Sequence, residues 1–154
     1  MDSNILLNSH SNISLASVLK MLQATAKKSF AQASPIPAAV NHSSEFYNHE
    51  HNVVFMQEWI CVGRTDEIPA TGDYLTHNIA GVPVLIVRQA SNEIAGFVNA
   101  CAHRFMCLMP KVTGNARAFT CRYHGWTYDL NGTLKRAPFM EMKEGFDLNQ
   151  HRLR

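Results

Sequence analysis

The sequence predicts a mainly β protein: an antiparallel β domain with two Cys/His-bearing loops, preceded by N-terminal helices. Three observations predict it. From Glu58 onward, short apolar runs alternate with polar residues and are separated by turn residues at short intervals. Before Glu58, apolar residues recur at helical spacing. Asn131-Gly132 stands between two of the short runs, the strongest local hairpin signal, because both residues accept positive φ. At 154 residues the chain has the size of one domain plus a short appended element. Residues 1–42 read as a helical segment and linker, and residues 43–154 as the domain with its lead-in helix.

The first 13 residues are polar and expected to fray. Leu15, Val18, Leu19, Leu22, Ala26 and Phe30 then form a helical stripe that Lys20, Lys27 and Lys28 avoid, with Ser14 as N-cap. Pro35 and Pro37 end this helix. Ser43 and Ser44 cap a second helix running to about Gln57, with Tyr47, His51, Val54 and Phe55 as its buried face. His49 and His51 point to different sides of that helix, which argues against a joint metal role. Trp59–Val62 reads as a short strand. Tyr74–Ile79, Val82–Arg88 and Ile94–Val98 follow, joined by turns at Ala80-Gly81 and Ser91-Asn92. Gly114-Asn115 is a turn into a strand over 116–120. Trp126, Tyr128 and Leu130 alternate inward before the Asn131-Gly132 turn and a return strand over 133–135.

Composition excludes several function classes. A net charge of +2 with 17% charged residues gives no basis for nucleic-acid or anionic-membrane binding. The longest mostly apolar run, Ile79–Val87, is broken by Gly81 and Pro83 and is too short to span a bilayer. The start lacks the basic n-region of a secretory signal. It is Ser-, Ala- and Lys-rich like a transit peptide, but has no arginine before Arg64. The four cysteines, Cys61, Cys101, Cys107 and Cys121, do not belong to a small secreted scaffold, so a reducing cytoplasm is expected.

The chemistry concentrates in Cys101-Ala102-His103 and Cys121-Arg122-Tyr123-His124. Each half offers a thiol and an imidazole. A 2Fe-2S cluster with mixed ligation needs two soft thiolates on one iron and two imidazoles on the other. Two loops that each mix the donor types supply that set. Zinc accepts two cysteines and two histidines, but its fingers pair like with like. A pair of ordinary buried Cys and His residues would not repeat the pattern at this distance. His77, on an apolar strand face, reads as a core or edge histidine.

The stretch from Trp59 to Pro138 resembles the Rieske domain at the N-terminal end of the large α subunit of Rieske-type non-haem iron oxygenases. The resemblance is carried by Trp59-Ile60-Cys61-Val62-Gly63-Arg64, Gly72-Asp73-Tyr74, Pro83–Arg88, Asn99-Ala100-Cys101-Ala102-His103-Arg104 and Cys121–Gly132, with Leu134. Glu45-Phe46-Tyr47 resembles the family's lead-in. The resemblance implies a Rieske-type antiparallel β domain whose two cluster-binding loops hold a 2Fe-2S cluster. It implies Cys101 and Cys121 on one iron, His103 and His124 on the other, and Arg104, Gly125 and Trp126 around them. Respiratory Rieske proteins carry an extra disulfide-forming cysteine in each loop. Here the second loop has none, so Cys107 reads as a packing or free thiol. Two residues depart from the family: Phe105 stands where a small residue, often Gly, is usual, and Arg122 where Pro is common.

The resemblance further implies one-electron relay from a reductase or ferredoxin to a mononuclear Fe(II), for O2-dependent hydroxylation or demethylation of a small organic molecule. It implies a homotrimer for the full-length enzyme. Ala137-Pro138 and Met140 lean toward oxygenases of quaternary amines. The iron-holding triad of two His and one carboxylate is not found here. Asp147 and His151 read as a chance match, and the end at Arg154 is expected to be a truncation. The alternatives are a stand-alone Rieske ferredoxin-like electron carrier and a remnant that binds a cluster without redox traffic.

Overall fold

The computed structural model describes residues 13–140 and 142–154. Except for Ile13, the stretch expected to fray lies outside them. Contacts divide the chain into two compact units, Met1–Ile60 and Cys61–Arg154.

The first unit is helical. Helix α1 spans Leu15–Ala26; the Ser14 hydroxyl caps it by accepting from the Ser17 N–H, and Val18 is its buried residue. Helix α2 spans Ser44–Glu50, capped by Ser43, whose hydroxyl also donates to the Ile13 carbonyl at 3.1 Å. The Glu45 carboxylate accepts from the Leu15 N–H at 2.7 Å, tying the start of α1 to α2. Three expectations fail here. α1 stops at Ala26, so Phe30 lies in a separate 3-10 turn and is fully exposed. α2 passes at His51 into a π-helical segment, His51–Phe55. The buried face also differs from the expected one: within α2 Phe46 is buried and Tyr47 exposed, and in the wider turn that follows Val54 and Phe55 are exposed. Trp59–Val62 forms no strand, since none of the described strands pairs with it, and Trp59 is fully exposed.

The second unit is the antiparallel β domain that the sequence predicts. Strands β1 (Asp73–Ile79), β2 (Val82–Arg88), β3 (Ile94–Val98) and β4 (Thr113–Asn115) form a sheet in the order β3-β2-β1-β4. Strands β5 (Phe119–Thr120), β6 (Thr127–Tyr128) and β7 (Leu134–Arg136) form a second sheet. The register follows the alternation. Tyr74 pairs with Val87, and Leu85 with Phe97. These residues join Phe119, Trp126, Tyr128 and Leu134 in the main core. Leu75 and Ile86, one residue out of phase, pack with Ile68 on the opposite face. His77 lies exposed on β1.

Two corrections concern the second half. The strand expected over 116–120 is shortened to Phe119–Thr120, and Gly114-Asn115, expected as a turn, belongs to β4. Asn115 stays in β4 because its amide donates to the Thr71 carbonyl at 3.0 Å and to the Asp73 carboxylate at 2.8 Å. In the Asn131-Gly132 turn only Gly132 takes positive φ, at 80°. The Asn131 side chain instead accepts from the Thr133 N–H at 3.0 Å.

The Asp73 carboxylate is held below the usual carboxylate range, first by the Asn115 amide and then by the Ala70 N–H. A depressed folded-state pKa adds stability above the unfolded value, about 3.9, that is lost as pH falls through the folded value. Asp73→Asn is therefore expected to flatten the acid limb of the stability–pH curve below about pH 4, measured by pH-dependent urea unfolding.

Candidate metal centre

The two loops close in the same way. In loop 1 the Cys101 N–H donates to the Met106 carbonyl at 2.9 Å, and the Phe105 N–H to the Cys101 carbonyl at 2.8 Å. In loop 2 the Cys121 N–H donates to the Trp126 carbonyl at 2.8 Å, and the Gly125 N–H to the Cys121 carbonyl at 3.0 Å. Each closure puts the fourth residue after the cysteine in the left-handed region: Gly125 at φ 70° and Phe105 at φ 56°. Glycine adopts this conformation freely, whereas a bulky residue there is an outlier. The loops are thus twins in backbone and differ in where the imidazole is mounted, two residues after Cys101 and three after Cys121.

Asn99 fixes the base of loop 1. Buried at the end of β3, it donates from Nδ2 to the Met109 carbonyl at 2.7 Å and accepts from the Met109 N–H at 2.9 Å. The sequence placed Asn99 in a motif without showing this role. A side chain bridging ten residues of loop has no local periodic signature.

The four predicted donors are found as two pairs. Cys101 and Cys121 are 1% and 3% exposed, both are free thiols, and they lie close enough to interact. The His103 and His124 ring centroids are 4.7 Å apart, edge to face. The site is thus a thiol pair and an imidazole pair. Among the described residues no three His, Cys, Asp or Glu side chains converge as they would around a single ion.

The surroundings decide protonation. Burial pushes the Cys101 thiol up, partly offset by hydrogen bonds from the Tyr128 hydroxyl and the His103 backbone N–H. Burial, followed by the proximity of Cys101, raises the Tyr128 phenol, which stays protonated as a donor. Its oxygen lies 3.2 Å from Cys101 Sγ and 3.0 Å from the Ala102 nitrogen, whose N–H it accepts. Burial lowers His103, with help from His124 and Arg104, so its imidazole is neutral and keeps a lone pair for a metal.

One polar atom tests whether a metal group fits. His124 Nδ1 is buried and has no hydrogen-bond partner. Such an orphan costs about 1–3 kcal/mol, and a metal on that nitrogen would supply the missing partner. Two buried thiols and two imidazoles, one with an orphaned nitrogen, match the donor set of a mixed-ligand 2Fe-2S cluster.

The three predicted neighbours differ in placement. Trp126 is 2% exposed and stacks on His103, with ring centroids 4.8 Å apart and planes 11° apart. Its other contacts are edge-on, to Phe146 at 5.8 Å and His151 at 5.6 Å. Gly125 makes the left-handed turn of loop 2, and Arg104 is exposed beside His103. Tyr128, Phe146 and His151 were not among the predicted site residues. Tyr128 read only as a core position, and the other two reach Trp126 by tertiary contact alone. Cys107 is exposed and unpaired, as expected of a free thiol.

Residues 58–149 match the Rieske [2Fe-2S] domain family. Over 95 residues, 62% of its length, the chain is 42% identical to the α subunit of biphenyl 2,3-dioxygenase from Rhodococcus jostii RHA1. That match covers 21% of the relative, so the chain spans about a fifth of its length. Among solved structures, it superposes on naphthalene 1,2-dioxygenase from a Rhodococcus species with a TM-score of 0.77 and 29% identity, covering 92% of this chain and 32% of that one. A quaternary ammonium Rieske monooxygenase gives a TM-score of 0.71 and 32% identity, covering 79% of this chain and 35% of that one.

Proposed function

We propose, for a chain that belongs to the Rieske [2Fe-2S] domain family, that its two loops form the electron-relay site of a Rieske-type oxygenase α subunit. In this reading Cys101 and Cys121 hold one iron, and His103 and His124 hold the other. The carrying observation is the pair of buried thiols together with a His124 Nδ1 that is buried and has no hydrogen-bond partner. When bound, such a cluster takes up and gives back one electron, in the range of roughly −150 to +300 mV.

The chain's own residues prepare that exchange. The two thiols lose their protons on metal binding, and the high Cys101 thiol makes loading favour higher pH. Two neutral imidazoles in place of thiolates lower the site's negative charge, which eases reduction. Trp126 holds the plane of His103 by stacking. The Tyr128 hydroxyl donates to Cys101 Sγ and draws charge from the sulfur. Removing a hydrogen bond of about 1 kcal/mol with Tyr128→Phe is expected to lower the potential by about 40 mV, read by redox titration.

The donor is a reductase or ferredoxin, and the acceptor is a mononuclear Fe(II) held by two His and a carboxylate elsewhere in the full-length trimeric enzyme. There O2 is used to hydroxylate a small organic molecule. The 42% identity to a biphenyl dioxygenase supports an aromatic substrate over the quaternary amine read from Ala137, Pro138 and Met140. Anaerobic reconstitution with iron and sulfide tests the reading. It should yield a red-brown protein whose reduced form has the electron paramagnetic resonance signal of a two-cysteine, two-histidine cluster. A colourless protein binding stoichiometric zinc under the same conditions would refute it.

A further inference from the structure

We propose that Phe146 and His151 are positioning residues for the metal centre: as a stacked pair they wedge the Trp126 indole against the His103 imidazole. The inference rests on the cluster reading above. Neither residue lies in the two loops or belongs to the donor set.

The first observation is the ring geometry. Trp126 lies nearly parallel to His103, with planes 11° apart and centroids 4.8 Å apart. Phe146 and His151 lie nearly parallel to each other, with planes 12° apart and centroids 4.7 Å apart. The two stacks meet crosswise, since the indole plane makes 70° with Phe146 and 73° with His151. Stacked and edge-to-face pairs are both favoured aromatic arrangements. One stack by itself lets a ring slide in its own plane; a second stack set across its edge blocks the slide.

The second observation concerns the indole N–H. Trp126 is 2% exposed, and its Nε1 is buried without a hydrogen-bond partner among the described residues. A buried tryptophan usually finds a partner for this N–H, and that bond fixes its orientation. Here no such bond sets the angle of the indole, so packing must. The aromatic rings that meet it are His103, Phe146 and His151.

The third observation is that the wedge is anchored away from the loops. His151 ends the 3-10 turn Leu148–His151, whose Asp147 cap accepts from the Asn149 N–H at 2.9 Å. Two residues on, the buried Leu153 donates its N–H to the Gly132 carbonyl at 2.8 Å. This ties the ring pair to the Asn131-Gly132 turn between β6 and β7. Asp147 and His151, an acid and a histidine at the spacing of an iron triad, thus have another use: Asp147 caps the turn and His151 supplies a ring.

The test uses the full chain with the fully exposed Trp59 replaced by Phe, so that Trp126 is the single tryptophan. The metal-free protein is read by tryptophan emission and acrylamide quenching. The protein reconstituted with iron and sulfide is read by electron paramagnetic resonance and by bleaching in excess chelator. In His151→Ala, and in Phe146→Leu, which keeps apolar bulk for folding, the metal-free emission is expected to move to longer wavelength with stronger quenching. Once loaded, both variants should show broader resonance lines, because His103 then takes a range of orientations. They should also bleach about tenfold faster, the lower end of what losing an outer support costs a metal site. His151→Phe keeps the ring and should restore wild-type behaviour in every reading. Unchanged emission and quenching in both variants overturns the proposal, since the indole is then held without them. Shifted emission with wild-type lines and bleaching overturns it as well, since the indole then passes nothing to His103. A wild-type protein that never acquires the two-cysteine, two-histidine signal removes the cluster reading and this proposal together, whereas a loaded wild type with unaffected variants removes this proposal alone.

Discussion

The His124→Ala chain, reconstituted with iron and sulfide, is expected to remain colourless, lacking the visible absorption and resonance signal of the wild type. The reason is stoichiometric: the site has two imidazoles and no spare nitrogen among its buried donors. His124 Nδ1 is buried without a partner, so the metal-free wild type bears an unmet polar group that alanine removes. The metal-free variant should therefore melt no lower than the metal-free wild type. Stability retained with the cluster lost separates a ligand from a structural histidine, and iron content, absorbance and thermal melting measure it. His124→Cys should hold iron with an altered spectrum. Cys107→Ala should load normally, because that thiol is exposed and unpaired. Loss of the cluster in Cys107→Ala would show the ligand assignment to be wrong.

Gly72→Ala is expected to destabilise the domain by about 3 kcal/mol, the sum of left-handed strain and a backbone clash. Gly72 has φ 87°, and a Cβ there would drive into the Ala116 carbonyl, whose carbon lies 3.2 Å away. The close approach is used twice: the Gly72 N–H donates to the Arg88 carbonyl at 2.9 Å, and its carbonyl accepts from the Ala116 N–H at 2.9 Å. Ala116 leads into β5 and so into Cys121, which links the turn to the candidate metal centre. The denaturant midpoint of the reconstituted protein should fall, and its cluster should bleach earlier on heating. Unchanged unfolding would show that the chain relaxes around the methyl group.

The parts legible in the sequence are those whose cause is local. The alternation in β1, β2 and β3 is visible because one sheet face packs on the main core, and a slip of one residue would turn Tyr74, Leu85 and Val87 away from it. The Ser14 and Ser43 caps are visible because a hydroxyl at that position satisfies a nearby N–H. The candidate donor residues stand out because few arrangements of Cys and His repeat at this spacing. The misread parts have distant causes. The helix expected to reach Gln57 widens into a π turn at His51 and buries Phe46 rather than Tyr47. β4 and β5 separate because Asn115 is claimed by Thr71 and Asp73, more than forty residues earlier.

The residues alone determined the sheet periodicity and the helix starts, since each depends on neighbours within a few positions, and they named the four candidate donors through a repeated Cys/His pattern. Only the tertiary structure decided how that set is shaped. It placed the Tyr128 hydroxyl on Cys101 Sγ, brought Phe146 and His151 against the ring that stacks on His103, and gave Phe105 the backbone of a glycine. The loop-closing bonds at Cys101 set the φ of Phe105, and an aromatic residue's own preference opposes it. Conformations imposed by long-range contact against local preference leave no periodic trace in the sequence.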